Sequence, residues 1–205
     1  MRPNEPQAEG GRWTRAGLLR AALGGGAVVA GGAAIGARPG RGVSFAAPSK
    51  DMDTEILGLF LLLERLQEDF YRAAIDAGRL GGVLRAFAET VVRQERAHAA
   101  FLVERLGERA GERSRSDFGD VLRSDESFRT AAIDLEEAAV AAYVGQGANL
   151  TAAVIAPVAA LVSVEARQAA WIRDLAGKNA APNAADPARK PARVLGDLRD
   201  KGWLR

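Results

Sequence analysis

The sequence predicts an all-α protein: a four-helix bundle with one long crossover, between the second and third helices, and a C-terminal tail. Two observations favour this fold. Apolar residues recur at helical spacing through four long segments, and no segment shows a strand pattern. Two connections, at residues 78–82 and 145–149, are tight glycine turns, whereas residues 107–127 form a much longer polar segment. Short turns make antiparallel neighbours, and a long connection returns the chain along the bundle.

The first predicted hairpin has a helix over about residues 54–77, with Asp53 or Thr54 as its cap. After the first glycine turn, the second helix covers about residues 83–108. Both segments place leucine, valine and phenylalanine on one face, which predicts that this face is buried in the bundle.

The second predicted hairpin has helices over about residues 128–144 and 151–175. Pro157 lies inside the fourth segment, so that helix either starts or kinks there. Residues 177–205 are rich in alanine and proline at first and then apolar again. They predict a surface tail with a short helix or docked segment at 194–203.

The first helix of each hairpin carries the same acidic motif. Glu64 is followed seven residues later by Tyr71, and Glu136 is followed at the same spacing by Tyr143. Each glutamate has apolar neighbours one turn away, which predicts that it faces the core. Glu137 is the alternative to Glu136 as the inward carboxylate. Other glutamates, among them Glu68, are predicted to lie on solvated helix faces.

The second helix of each hairpin carries a related motif. Glu95 and His98 form a Glu-x-x-His motif, and Glu165 and Gln168 repeat it with glutamine in place of histidine. The offset between the glutamates is 70 residues here and 72 residues for the first helices, so the whole hairpin is repeated. Residues i and i+3 share a helix face, so both side chains of the motif can reach one metal ion.

Four inward glutamates repel one another and lose hydration, so a bundle that buries them needs protons, arginines or metal ions. Carboxylate and imidazole donors suit iron and manganese. Two hairpins that face each other, each with two carboxylates, would hold two metal ions inside the bundle. Such a pair can react with dioxygen or peroxide, because two electrons are available from adjacent ions.

These motifs resemble those of the ferritin-like domain proteins, in particular an exported bacterial group related to plant desiccation-associated proteins. The resemblance covers about residues 51–176. It implies one long crossover and a set of metal ligands: Glu64, Glu95, His98, Glu136 and Glu165. It also implies histidine at the position of Gln168, and it implies that Tyr71 and Tyr143, one or two turns from the ligands, are candidate hydrogen-bond partners for them.

Gln168 is the departure from that pattern, and His98 is the only histidine in the chain. A glutamine oxygen is neutral and is a weaker ligand than imidazole for iron. The sequence therefore leaves four alternatives for the centre: two iron ions, one iron ion, manganese or no metal. Two functions follow. One is a metal-binding protein with oxidase or ferroxidase chemistry, and the other is a metal-free structural, stress or partner-binding module. Whether the protein is an enzyme stays open as well.

Residues 1–47 predict an export leader. Arginines precede a weakly apolar stretch at 21–37, and small residues at 44–46 suit cleavage. The region resembles a twin-arginine motif in which Ala16 replaces the arginine after Arg15. The chain is therefore expected in the periplasm, in the cell envelope or outside the cell. An uncleaved leader that anchors it to the membrane is the alternative.

The charge balance limits the partners. The net charge is +2, but the leader has six arginines and two glutamates and contributes +4, so the rest of the chain carries −2. Without a basic excess, nucleic acid is not an expected partner. The chain has no cysteine, which excludes disulfides and thiolate metal sites. Metal ions are the expected partners, and a homodimer stays open.

Overall fold

The structure is a computed structural model that describes residues 47–205. The predicted leader lies outside the described residues, except for Ala47. Within the described part, the chain forms helices and one isolated antiparallel bridge between Ser116 and Leu204, with no β-strand. The all-α prediction is confirmed.

Five α-helices follow one another along the described residues: α1 Lys50–Asp76, α2 Gly82–Leu106, α3 Asp125–Gln146, α4 Ala152–Leu175 and α5 Pro191–Asp200. Three short 3-10 helices lie in the connections: Gly107–Arg109, Gly119–Leu122 and Gly147–Asn149. The first two belong to the long crossover between α2 and α3, as the predicted topology requires.

The start of α1 differs from the prediction. Ser49 caps this helix by accepting a hydrogen bond from the Met52 amide at 3.2 Å. Asp53 lies one turn inside the helix and is buried. Its carboxylate accepts bonds from the amide and the hydroxyl of Thr151, at 2.9 and 2.6 Å. The predicted cap therefore binds the N-terminal end of α4 and ties the two hairpins together.

The bundle is made of two hairpins, α1–α2 and α3–α4, which meet through α1 with α3 and α2 with α4. Its apolar core divides into two clusters. Along α1, residues 56–61 belong to one cluster, and residues from Leu63 to Ala74 belong to the other. The buried Glu64 lies at the boundary between them. This boundary is where the polar interior of the bundle is found.

The tail packs against the second hairpin. α5 contacts α3, and Val194, Leu198 and Trp203 join the larger apolar cluster. The Arg189 amide donates to the carbonyl of Ala141 at 2.9 Å. Helix α4 begins five residues before Pro157 and continues through it.

Among the described residues, α4 is the one helix whose length and composition would allow it to cross a membrane, with a mean hydropathy of 1.3 over 18 residues. That finding concerns length and composition alone, and a core helix can also meet it. One side of α4 carries the buried Glu165 and Gln168 of the polar interior.

Candidate metal centre

Each of the four bundle helices contributes one fully buried glutamate. Glu64 on α1, Glu95 on α2, Glu136 on α3 and Glu165 on α4 are all 0% exposed. Each glutamate has apolar neighbours at helical spacing, so it lies on the buried face of its helix. All four lie at the same level of the bundle. The structure therefore brings together the four carboxylates that the sequence repeat indicates.

His98 lies among three of these carboxylates. Its Nδ1 atom is 3.1 Å from Oε2 of Glu64, 3.1 Å from Oε1 of Glu165 and 3.5 Å from Oε2 of Glu95. One ligand atom from each of the four residues lies within 4.8 Å of the others. We call this arrangement the histidine half of the centre.

The opposite side of the carboxylate group holds two side-chain amides. Gln67 on α1 donates through Nε2 to Oε2 of Glu136 at 3.0 Å and to Oε2 of Glu165 at 3.2 Å. Gln168 on α4 donates through Nε2 to Oε1 of Glu95 at 2.6 Å. We call this side of the centre the amide half. It consists of the two side-chain amides, Glu136 and the carboxylate oxygens that the amides contact.

Glu95 and Glu165 span the two halves, because each directs one oxygen to His98 and the other to an amide. The Nδ1 atom of the imidazole carries one hydrogen, and this hydrogen is donated to Glu64. Oε2 of Glu95 and Oε1 of Glu165 are consequently buried without a hydrogen-bond donor. The side-chain oxygens of Gln67 and Gln168 are also buried and unpartnered.

Two tyrosines join the hairpins reciprocally. The hydroxyl of Tyr143 on α3 donates to Oε1 of Glu64 on α1, and the hydroxyl of Tyr71 on α1 donates to Oε1 of Glu136 on α3. Burial raises the pKa of both tyrosines, and the carboxylate that each one contacts raises it further. Both hydroxyls therefore stay protonated and remain donors.

Burial also governs the ionisation of the acids. It raises the pKa of Glu95 and Glu136 well above the ordinary range, and the neighbouring Glu165 raises both further. Burial, followed by Glu64, raises the pKa of Glu165 to about 7. Burial opposes the charge on His98, but the nearby carboxylates of Glu165, Glu64 and Glu95 raise its pKa overall. The group is therefore electrostatically strained when all its carboxylates are charged.

His98 is the only cationic side chain that pairs with these carboxylates in residues 47–205, since no lysine or arginine forms an ion pair with any of them. The histidine half offers three carboxylate oxygens and an imidazole nitrogen. Iron and manganese accept this donor set. Two of those oxygens are the buried ones without a donor. The residues present thus fit a divalent transition-metal ion.

The structure decides between Glu136 and Glu137. Glu136 is 0% exposed, whereas Glu137 is 44% exposed at its side chain and pairs with Arg173 at the surface. Another expectation, that Glu68 lies on a solvated helix face, is wrong. Its side chain is 4% exposed and is bonded by Arg96 at 3.1 Å and by Arg113.

Sequence reasoning missed Gln67. The residue lies three positions after Glu64, which is the spacing of the Glu-x-x-His motif, so the helix periodicity already placed both on one face. Glu64 and Gln67 also repeat the Glu-x-x-Gln spacing of Glu165 and Gln168. An uncharged amide on the apolar face was the feature that indicated its position.

Comparison with known proteins agrees with the architecture. A family model for the ferritin-like domain matches residues 52–178, which include all four bundle helices. The chain belongs to the ferritin-like domain family. A comparison with curated proteins finds no match to this chain.

Proposed function

We propose that this protein binds a divalent transition-metal ion, Fe(II) or Mn(II), in the histidine half of its bundle interior. The observation that carries the proposal is the approach of Glu64, Glu95, His98 and Glu165 within 4.8 Å of one another in a buried position. Two carboxylate oxygens in this group lack any donor. A metal ion would satisfy both when these acids are ionised, and protons would satisfy them otherwise, since the pKa of each acid is raised.

The surrounding residues would support the ion in distinct ways. Tyr143 holds Glu64 in place, and Gln168 holds the far oxygen of Glu95. The two apolar clusters on either side exclude water, which strengthens every electrostatic interaction in the group. When bound, an iron ion supplies redox chemistry toward oxygen or peroxide. The side chain of His98 is 11% exposed, and it is the ligand nearest to solvent.

Metal binding is tested by anaerobic equilibrium dialysis of the protein against Fe(II) or Mn(II), followed by elemental analysis and thermal melting. We expect stoichiometric binding and a melting temperature that rises with ion concentration. Glu137→Gln is the matched control, because this carboxylate lies outside the centre. Less than about 0.1 equivalent bound, with no change in melting temperature, would contradict the proposal.

A metal-free module is the second candidate function, and one observation favours it. Six of the eight carboxylate oxygens of the four glutamates already have a donor from a tyrosine, an amide or the imidazole. The bundle can therefore satisfy most of its polar interior without an ion. The same dialysis separates the two candidates.

We also propose that the protein is exported, on the basis of the arginines, the weakly apolar stretch and the small residues of the leader. Expression of the full chain in a bacterial host, followed by cell fractionation and intact mass measurement, tests this. We expect a shortened chain outside the cytoplasm. A full-length chain in the cytoplasm would contradict export.

A further inference from the structure

We propose that this centre binds one ion and not two, because the side-chain amide of Gln67 occupies the position that a second ion would take. The inference rests on the proposed function, since it concerns how many ions the same centre holds. The two halves share the tyrosine–glutamate bond, but only the amide half holds the Gln67 amide, and only the histidine half holds an imidazole.

The Gln67 amide group contacts the oxygens that a second ion would need. Its Nε2 atom donates to Glu136 of α3 at 3.0 Å and to Glu165 of α4 at 3.2 Å. An amide nitrogen has two hydrogens, so one group can satisfy two carboxylates. The orientation of the amide follows from these contacts, because a flipped amide would turn its oxygen toward both carboxylates.

The sequence repeat shows that an amide contact of this kind exists in only one half of the centre. The 72-residue offset that relates Glu64 to Glu136 relates Gln67 to Ala139. Ala139 is fully buried and has no polar group to offer. The histidine half therefore has an imidazole and no intruding amide, while the amide half has an intruding amide and no imidazole.

The hydrogen bonds of the carboxylates also favour a single ion. In the amide half, both oxygens of Glu136, Oε1 of Glu95 and Oε2 of Glu165 all have donors. The two carboxylate oxygens without a donor both belong to the histidine half. An ion in the amide half would displace the Gln67 amide and leave buried N–H groups without an acceptor, which is unfavourable.

Restoring the missing imidazole alone is therefore not sufficient for a second site. In Gln168→His the amide of Gln67 still occupies the space between Glu136 and Glu165. In Gln67→Ala that space opens and α1 matches α3, but the imidazole is missing. The double variant Gln67→Ala/Gln168→His removes the obstacle and supplies the ligand.

The experiment measures Mn(II) stoichiometry by anaerobic dialysis and the electron paramagnetic resonance spectrum of the bound ions, for the wild type and these three variants. We expect about one isolated ion in the wild type and in each single variant. We expect about two ions in the double variant, with the spectrum of a spin-coupled pair, since paired ions lie about 3.5–4 Å apart. The ion of the histidine half, retained in every variant, shows that the fold is intact.

The outcomes separate this inference from the proposed function. No bound ion in the wild type overturns the proposed function and the inference together. Two ions in the wild type, or two in Gln168→His alone, overturn only the inference. A folded double variant that still holds one ion shows that Gln67 is not the obstacle, and it overturns the inference as well. If the double variant does not fold, the wild type and Gln168→His still decide.

Discussion

The α1–α2 and α3–α4 hairpins carry the same pair of glutamates and the same tyrosine, yet their polar interiors are stabilised differently. The first hairpin places an imidazole among three carboxylates, and two carboxylate oxygens there have no donor. Around Glu136 of the second hairpin, every carboxylate oxygen accepts a bond from a tyrosine or an amide. The difference is that uncharged groups, two amides and a tyrosine, supply the donors around Glu136, whereas the histidine half has an imidazole.

The largest expected effect distinguishes the two halves through their carboxylates. Glu95→Gln removes a ligand of the histidine half. Loss of a residue that only hydrogen-bonds a metal ligand lowers ion affinity roughly 10- to 100-fold, and we expect loss of the ligand itself to lower it further. Glu136→Gln changes a residue outside the four-ligand group and should leave the affinity near that of the wild type. Calorimetric titration with Mn(II) measures both. Equal losses in the two variants would show that the halves are not distinct.

The tyrosines provide a smaller and paired effect. Tyr143→Phe removes the donor to Glu64, so we expect ion affinity to fall about 10- to 100-fold. Tyr71→Phe removes the donor to Glu136, so affinity should change little. Both substitutions leave a buried carboxylate oxygen without its donor, and each should cost about 1–3 kcal/mol in the free energy of unfolding. Urea unfolding of the metal-free protein gives that second quantity, and an affinity loss in Tyr71→Phe would contradict the assignment.

Two helical glycines test the asymmetry in packing between the hairpins. A Cβ atom at Gly145 of α3 would lie 2.1 Å from the carbonyl oxygen of Arg189 in the tail, whereas at Gly58 of α1 it would meet nothing within 4 Å. We expect Gly145→Ala to cost about 1–3 kcal/mol through overpacking against the tail backbone. Gly58→Ala should stabilise the protein by about 0.5–1 kcal/mol through helix propensity. Thermal melting measures both, and the same sign in the two variants would contradict the docking of the tail.

The last expected effect is a dependence of stability on pH. The pKa of Glu165 is about 7 in the folded protein, above its ordinary value, so the folded state keeps a proton that the unfolded chain loses. The folded-state pKa of His98 is also raised. Both groups bind more protons in the folded state, so the free energy of unfolding declines as pH rises, between about 4.5 and 7 for Glu165 and above about 6.5 for His98.

The metal-free protein should therefore have a lower melting temperature at pH 8 than at pH 5.5. An added ion should reverse this trend, because its ligands must be deprotonated to bind it. Scanning calorimetry with and without Mn(II) gives the comparison. A melting temperature of the metal-free protein that rises over this interval would contradict the pKa shifts of the buried group.

The sequence was sufficient to predict the bundle, its crossover and the four inward glutamates. Apolar spacing fixes the buried face of each helix, and a glutamate on that face, such as Glu165, must enter the interior. The repeat of the Glu64–Tyr71 spacing favoured Glu136 over its neighbour Glu137, and the structure buries Glu136 and exposes Glu137. The prediction for Glu68 failed because two of its three arginine partners come from α2 and the crossover, and only Arg72 is related to it by spacing along α1.

By itself, the sequence determined the periodicity, the repeat and the kinds of donor atom that the interior would contain. These depend on residue type and on spacing along one helix, and both can be read from the chain. The tertiary structure alone decided which oxygen each donor reaches, that Gln67 of one hairpin bonds glutamates of the other, and that the tail packs against α3. Such contacts depend on how two helices are rotated and shifted against each other, and only the packing of the whole core sets those quantities.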